Sequence, residues 1–161
     1  MRRTGALLLA LMLLLAAGCG LADETVQLPE SRYEVTLPDG MEYDGPTPDS
    51  QEAFAWVSEE MGLEISFFRY EKEGTEPAVL MYVLMMALMD NGAEDIGTTT
   101  VNGVEMVVYR FPPADESGMK GIGYILQDGD ALQGIMFWYA TQEAAEMTRT
   151  IMESIGVTET V

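Results

Sequence analysis

Met106-Val107-Val108-Tyr109 and Ile135-Met136-Phe137-Trp138-Tyr139 are apolar at successive positions. In a strand, successive side chains point to opposite faces of the sheet, so a sheet containing these strands must be covered on both sides. Helices are the cover available to a chain of this length, and two segments qualify. Thr75 is a good N-cap, Glu76 favours the positive end of a helix dipole, and Pro77 is tolerated in a first turn. Asn91-Gly92 stops the helix, and between these signals Ala78 to Met89 is apolar throughout, the pattern of a helix buried on all sides. A second helix starts at Thr141 and aligns Ala144, Thr148, Ile151, Met152 and Ile155 on one stripe before Gly156 ends it.

The strands come as hairpins. Tyr33-Glu34-Val35-Thr36-Leu37 alternates and ends at Pro38-Asp39-Gly40; Gly45, Pro46, Pro48 and Asp49 then read as a loop. Ala53 to Glu59 turns at Met61-Gly62 into Leu63 to Tyr70. Asn102-Gly103 joins Thr98–Val101 to Val104–Phe111, and Asp128-Gly129-Asp130 joins Ile122–Gln127 to Leu132–Tyr139. With no βαβ alternation, the fold class predicted is α+β: a mainly antiparallel sheet of about six or seven strands, flanked by two helices. One domain is expected over 31–157, with a tail at 158–161.

The leader sets a different constraint. Arg2 and Arg3, an unbroken apolar run from Ala6 to Ala17, and the small residues that follow have the layout of an export signal over 1–18, too short to span a bilayer. Leu15-Ala16-Ala17-Gly18-Cys19 resembles the lipobox of bacterial lipoproteins, which implies acylation at Cys19 and a tether over 19–30. The expected location is then the outer side of the cytoplasmic membrane or the cell envelope. Gly20-Leu21-Ala22 offers a second cleavage site that would discard Cys19 and free the protein.

Counting residues closes off several chemistries. Cys19 is the sole cysteine and there is no histidine, so an intramolecular disulfide, a zinc finger, a Cys-His dyad and a Ser-His-Asp triad are excluded. Carboxylate chemistry remains, and with it a remote reading as a glycoside-type hydrolase. All 27 acids follow Cys19 while two of the eight bases precede it, leaving the exported chain at −21. Phosphate backbones and anionic headgroups repel such a chain, so nucleic acid is not expected as a partner and membrane attachment falls to the acyl group.

Several motifs resemble the Mog1/PsbP-like group of sandwich domains: the opening Tyr33-Glu34-Val35-Thr36-Leu37-Pro38-Asp39-Gly40-Met41, the Thr100-Val101-Asn102-Gly103-Val104-Glu105 hairpin, Tyr124 with Asp128-Gly129, and the closing Ile151-Met152-Glu153-Ser154-Ile155. The resemblance covers roughly 31–155. It implies a non-enzymatic binding or assembly role with a protein partner, no cofactor and no resident metal.

The candidate sites are few. Met81, Met85, Met86 and Met89 crowd the first helix; they read as core filler, as a partner or lipid-contact face, or more remotely as thioether ligands for Cu(I). Trp56 and Trp138 read as core or as the wall of a groove, the second case making the protein a small-molecule or cation carrier. Asp128-Gly129-Asp130 reads as a turn rather than a calcium loop, and Asp44, Asp49, Glu52 and the Glu59-Glu60 pair as a solvated face.

Overall fold

The computed structural model of the protein describes residues 23–46, 53–113 and 118–158. Its elements run β1 (Glu24–Gln27), β2 (Tyr33–Leu37), β3 (Glu42–Pro46), β4 (Ala53–Ser58), β5 (Leu63–Tyr70), α1 (Pro77–Asp90), β6 (Glu94–Val101), β7 (Val104–Phe111), β8 (Lys120–Asp128), β9 (Ala131–Tyr139), α2 (Gln142–Glu153) and β10 (Gly156–Val157). Every strand pairing is antiparallel. A seven-stranded sheet has the order β3-β4-β5-β9-β8-β7-β6, and a small second sheet the order β1-β2-β10.

The doubly apolar strands β7 and β9 sit inside the large sheet, as their composition demands. On one face Leu63, Ile65 and Phe67 of β5, Leu126 of β8, and Ile135 and Phe137 of β9 meet Val35 and Leu37 of β2 and Ala144, Ile151 and Met152 of α2. On the other, Tyr109 and Phe111 of β7, Ile125 of β8 and Leu132 of β9 meet Leu80 of α1. The result is three layers: α1, the seven-stranded sheet, and a third layer shared by α2 and the small sheet. Removing a side chain such as Phe67 or Phe137 from water stabilises the fold by about 2 to 3 kcal/mol each.

Turn chemistry links the layers. Asn102, at φ 50°, and Gly103 close the β6–β7 hairpin, and the Asn102 side-chain amide donates to the carbonyls of Glu153 and Ile155 at 3.0 and 2.9 Å, fastening the hairpin to the end of α2. Asp128, in the β8–β9 turn, accepts from the Ser31 hydroxyl at 2.6 Å, and its other oxygen lies 3.3 Å from the Arg32 guanidinium. Its carboxylate is thus committed to holding the β1–β2 connection.

Two readings of the sequence need correction. The stretch assigned to a tether is structured from Glu24: Val26 and Leu28 are buried, and a strand of four residues too short to show alternation is paired with β2 along its whole length. The segment read as a loop contains β3, which pairs with β4 across a register shift between Tyr43 and Gly45, so a bulge accommodates the glycine. Asp49 and Glu52 lie outside the described residues.

Candidate functional site

Helix α1 starts at Pro77 in its first turn, with Glu76 as the N-cap residue rather than Thr75; the Glu76 side chain makes no capping bond. The other end is closed firmly. Gly92, at φ 86°, lets the backbone turn so that its N–H reaches the Met89 carbonyl at 2.9 Å, while the Ala93 N–H reaches the Leu88 carbonyl at 3.0 Å. This paired closure is the Schellman arrangement, with Ala93 buried beside Leu88 as its apolar contact.

The burial expected all round this helix is absent. Leu80 alone of its residues is fully buried, with Met81, Leu84, Met85 and Leu88 half-buried against the sheet. On the opposite side Val79 is 50% exposed, Tyr82 63%, Val83 48%, Met86 44% and Met89 50%. At 100° per residue, positions 79, 82, 83 and 86 share one outward arc and Met89 flanks it. The four methionines therefore divide, two toward the sheet and two toward solvent. The reason lies in the layers: nothing in the described fold covers α1 from outside. Together the five side chains expose on the order of 400 Å2, comparable with the largest apolar patch on an ordinary monomer, which is often functional.

Val79, Tyr82 and Val83 carry no signal of their own in the sequence, because from Pro77 to Met89 no polar residue marks which side of the helix faces outward. No charge interrupts the helix from Pro77 to Met89. Charge gathers at its ends. Glu71, Glu73 and Glu76 precede it around Lys72; Asp90, Glu94 and Asp95 follow, with Arg110 3.4 Å from Glu94. Asp90 also lies at the negative end of the helix dipole.

Beneath α1, Tyr109 is wholly buried and its hydroxyl has no hydrogen-bond partner among the described residues. Burial, and secondarily the charge of Asp95, pushes this phenol above its usual pKa of 10.0, so it stays neutral and inert.

The other predicted residues do not assemble into a site. Trp56 and Trp138 lie on opposite faces of the large sheet. Trp56 stacks in an aromatic row between Tyr43 and Phe67, at 5.1 and 5.2 Å, while Trp138 packs 5.6 Å from Phe111. The two tryptophans therefore do not face one common groove. Four surface depressions formed by the described residues are lined by neither tryptophan. The largest, about 770 Å3 beside the N-terminus of α1, holds Arg32, Arg69 and Lys72, but Arg32 is engaged by Asp128 and Arg69 by Glu71 and the Glu30 carbonyl. Among the described residues no group of three or more acidic side chains is arranged to hold a metal ion. Asp44 is exposed, and Cys19 lies outside the described residues. No described helix is long and apolar enough to cross a membrane.

The layered architecture is similar to the solution structure of cyanobacterial PsbP (CyanoP) from Synechocystis sp. PCC 6803, with a TM-score of 0.60 over 87% of this chain and 95% of that one, at 15% identity. The chain has a PsbP-like fold. A crystal structure from Bacteroides thetaiotaomicron VPI-5482 is similar at a TM-score of 0.55 and 10% identity, covering 85% of this chain and 49% of that one. At these identities the likeness is one of fold, carried by layer order rather than by shared side chains. No protein-family model matches the sequence, and no curated protein does. A PsbP-like scaffold is compatible with a binding or assembly role.

Proposed function

We propose that this chain is an exported envelope protein, anchored through an acylated Cys19, whose PsbP-like domain binds a protein partner through the outer face of α1 and carries out no catalysis of its own. The observation that carries the binding half is the uncharged outward arc of Val79, Tyr82, Val83 and Met86 on a helix whose inner face alone is needed for packing. Exposing such an arc costs solubility with no return in stability, which is the usual mark of a contact surface. The anchoring half rests on the lipobox-like Leu15-Ala16-Ala17-Gly18-Cys19.

Each half has its own test. Intact-mass analysis of the membrane fraction is expected to find a chain that begins at Cys19 and carries a diacylglyceryl group, and Cys19→Ala is expected to leave the membrane or remain unprocessed. An unmodified start at Asp23 would replace the anchor by free secretion. For the surface, a photo-crosslinking residue at position 86 is expected to give a discrete adduct in cells, with position 149 on the outer side of α2 as the control. Equal labelling from both positions would remove α1 as the binding face.

A further inference from the structure

We infer that the occupant of the α1 face is a protein surface bearing an apolar strip with lysine or arginine at its ends, presented to this chain on the side away from the bilayer. The inference rests on the binding reading above and specifies its partner.

Charge selects the partner's sign. The apolar arc is bounded at one end by Glu71, Glu73 and Glu76 against Lys72 and Arg69, the latter paired with Glu71, and at the other by Asp90, Glu94 and Asp95 against Arg110, which is paired with Glu94. Each end is thus a net acid, within a chain at −21. A surface that fills the arc lays its own ends beside these carboxylates, and opposite charge there steers the encounter and fixes orientation.

The alternatives fare worse on the same observations. A second copy seated on α1 by two-fold symmetry would bring acidic ends against acidic ends. A helix lying in a lipid interface characteristically carries lysine and arginine on its polar face, whereas α1 carries neither.

Geometry also turns α1 away from the tether. Four residues, Gly20 to Asp23, separate Cys19 from β1, a reach of roughly 14 Å when extended. β1 belongs to the layer packed on the far side of the large sheet from α1. Layers stack about 10 Å apart and a helix is about 10 Å thick, so the outer face of α1 stands on the order of 25 Å from the β1 layer. An acyl chain at Cys19 holds the opposite side of the domain to the membrane.

The test uses the mature protein as purified from its native cells and three labelled synthetic helical peptides. One has a leucine stripe with lysines at both ends; the second has the same stripe with glutamates at the ends; the third has the composition of the first, scrambled so that no stripe forms. Fluorescence anisotropy in low salt is expected to show the lysine-ended peptide binding at least tenfold tighter than either other peptide, with the advantage over the glutamate-ended one shrinking in 0.5 M NaCl as screening shortens. Val83→Ser combined with Met86→Gln is expected to weaken that binding about tenfold while leaving the melting temperature in place. Equal binding of the scrambled peptide would reduce the effect to bulk charge and overturn the inference, as would equal binding of the glutamate-ended one or no binding at all. Phosphatidylcholine or phosphatidylglycerol vesicles that bind the Cys19→Ala protein and release the double variant would make the occupant a lipid surface. A sedimenting dimer abolished by the double variant would make it a second copy. Any of these results leaves the mass and crosslinking tests of the broader reading standing, so the two can fail separately.

Discussion

The two helices cover opposite faces of one sheet and solve the same packing problem with different sequences. In α2, Ala144, Thr148, Ile151 and Met152 face inward and are buried, while Glu143, Glu146, Arg149 and Glu153 face solvent. In α1 only Leu80 of the inward residues is fully buried, the others are partly so, and the outward ones are as apolar as the inward. The helix starts differ as well: the Thr141 hydroxyl accepts from the Ala144 N–H at 3.0 Å, whereas α1 has no side-chain cap. Stability alone explains α2 completely. It explains the inner half of α1 but not the apolar outer half, which is the part the proposed contact would use.

Mutation can break that contrast. The largest effect is expected at the inward positions: Ile151→Ala on α2 and Leu80→Ala on α1 should each cost about 2 to 5 kcal/mol in denaturant unfolding, while Met86→Ala should stay within about 0.5 kcal/mol. A cost at Met86 equal to that at Leu80 would mean the outer arc contributes to the fold after all.

Next come the buried hydroxyls associated with each helix. Thr148 on α2 donates to the Ala145 carbonyl at 2.8 Å, whereas the Tyr109 hydroxyl beneath α1 is unpaired. Tyr109→Phe should therefore stabilise by about 1 to 2 kcal/mol, since the unmet desolvation of the hydroxyl disappears. The pH profile supplies the sign. Burial, then Asp95, raises the folded-state pKa of Tyr109 above 10.0, so its neutral form favours folding in full below that pH and the contribution is lost as pH climbs past it. Unfolding followed from pH 8 to 11 should show the variant losing less stability than the wild type.

The smallest effect separates the helix starts. Thr141→Ala should cost about 1 kcal/mol by thermal melting, because a made cap is removed. Glu76→Ala should change the melting temperature hardly at all.

What was legible in the sequence divides along physical lines. The hairpins at Asn102-Gly103 and Asp128-Gly129, the doubly apolar β7 and β9, and the stripe of α2 all follow from local pattern, and the PsbP-like layering follows from their order. β1 and β3 carry no periodic signal: β1 is a four-residue run, and β3 is interrupted by a bulge at Gly45, although each pairs with the strand that follows it in sequence. The exposure of α1 could not be read from an all-apolar helix, since that pattern is the same whether the outside is covered or bare. That Trp56 and Trp138 pack against different cores was not legible, because a sheet separates residues by face in a way only register reveals.

Part of the face beside α1 is closed by the strands themselves. Phe68 lies flat over Gly134, where an added β-carbon would stand 1.9 Å from the ring, and Trp138 lies over Gly121, where it would meet the indole at 2.7 Å. Covering sheet with folded-down rings leaves no room at those two glycines: even alanine must push a ring aside and loosen the layer. Residues on the outward arc of α1 carry no such obligation to the fold. The two neighbouring surfaces therefore differ in what they tolerate, the glycine floor fixed by packing and the outward arc of the helix open to substitution.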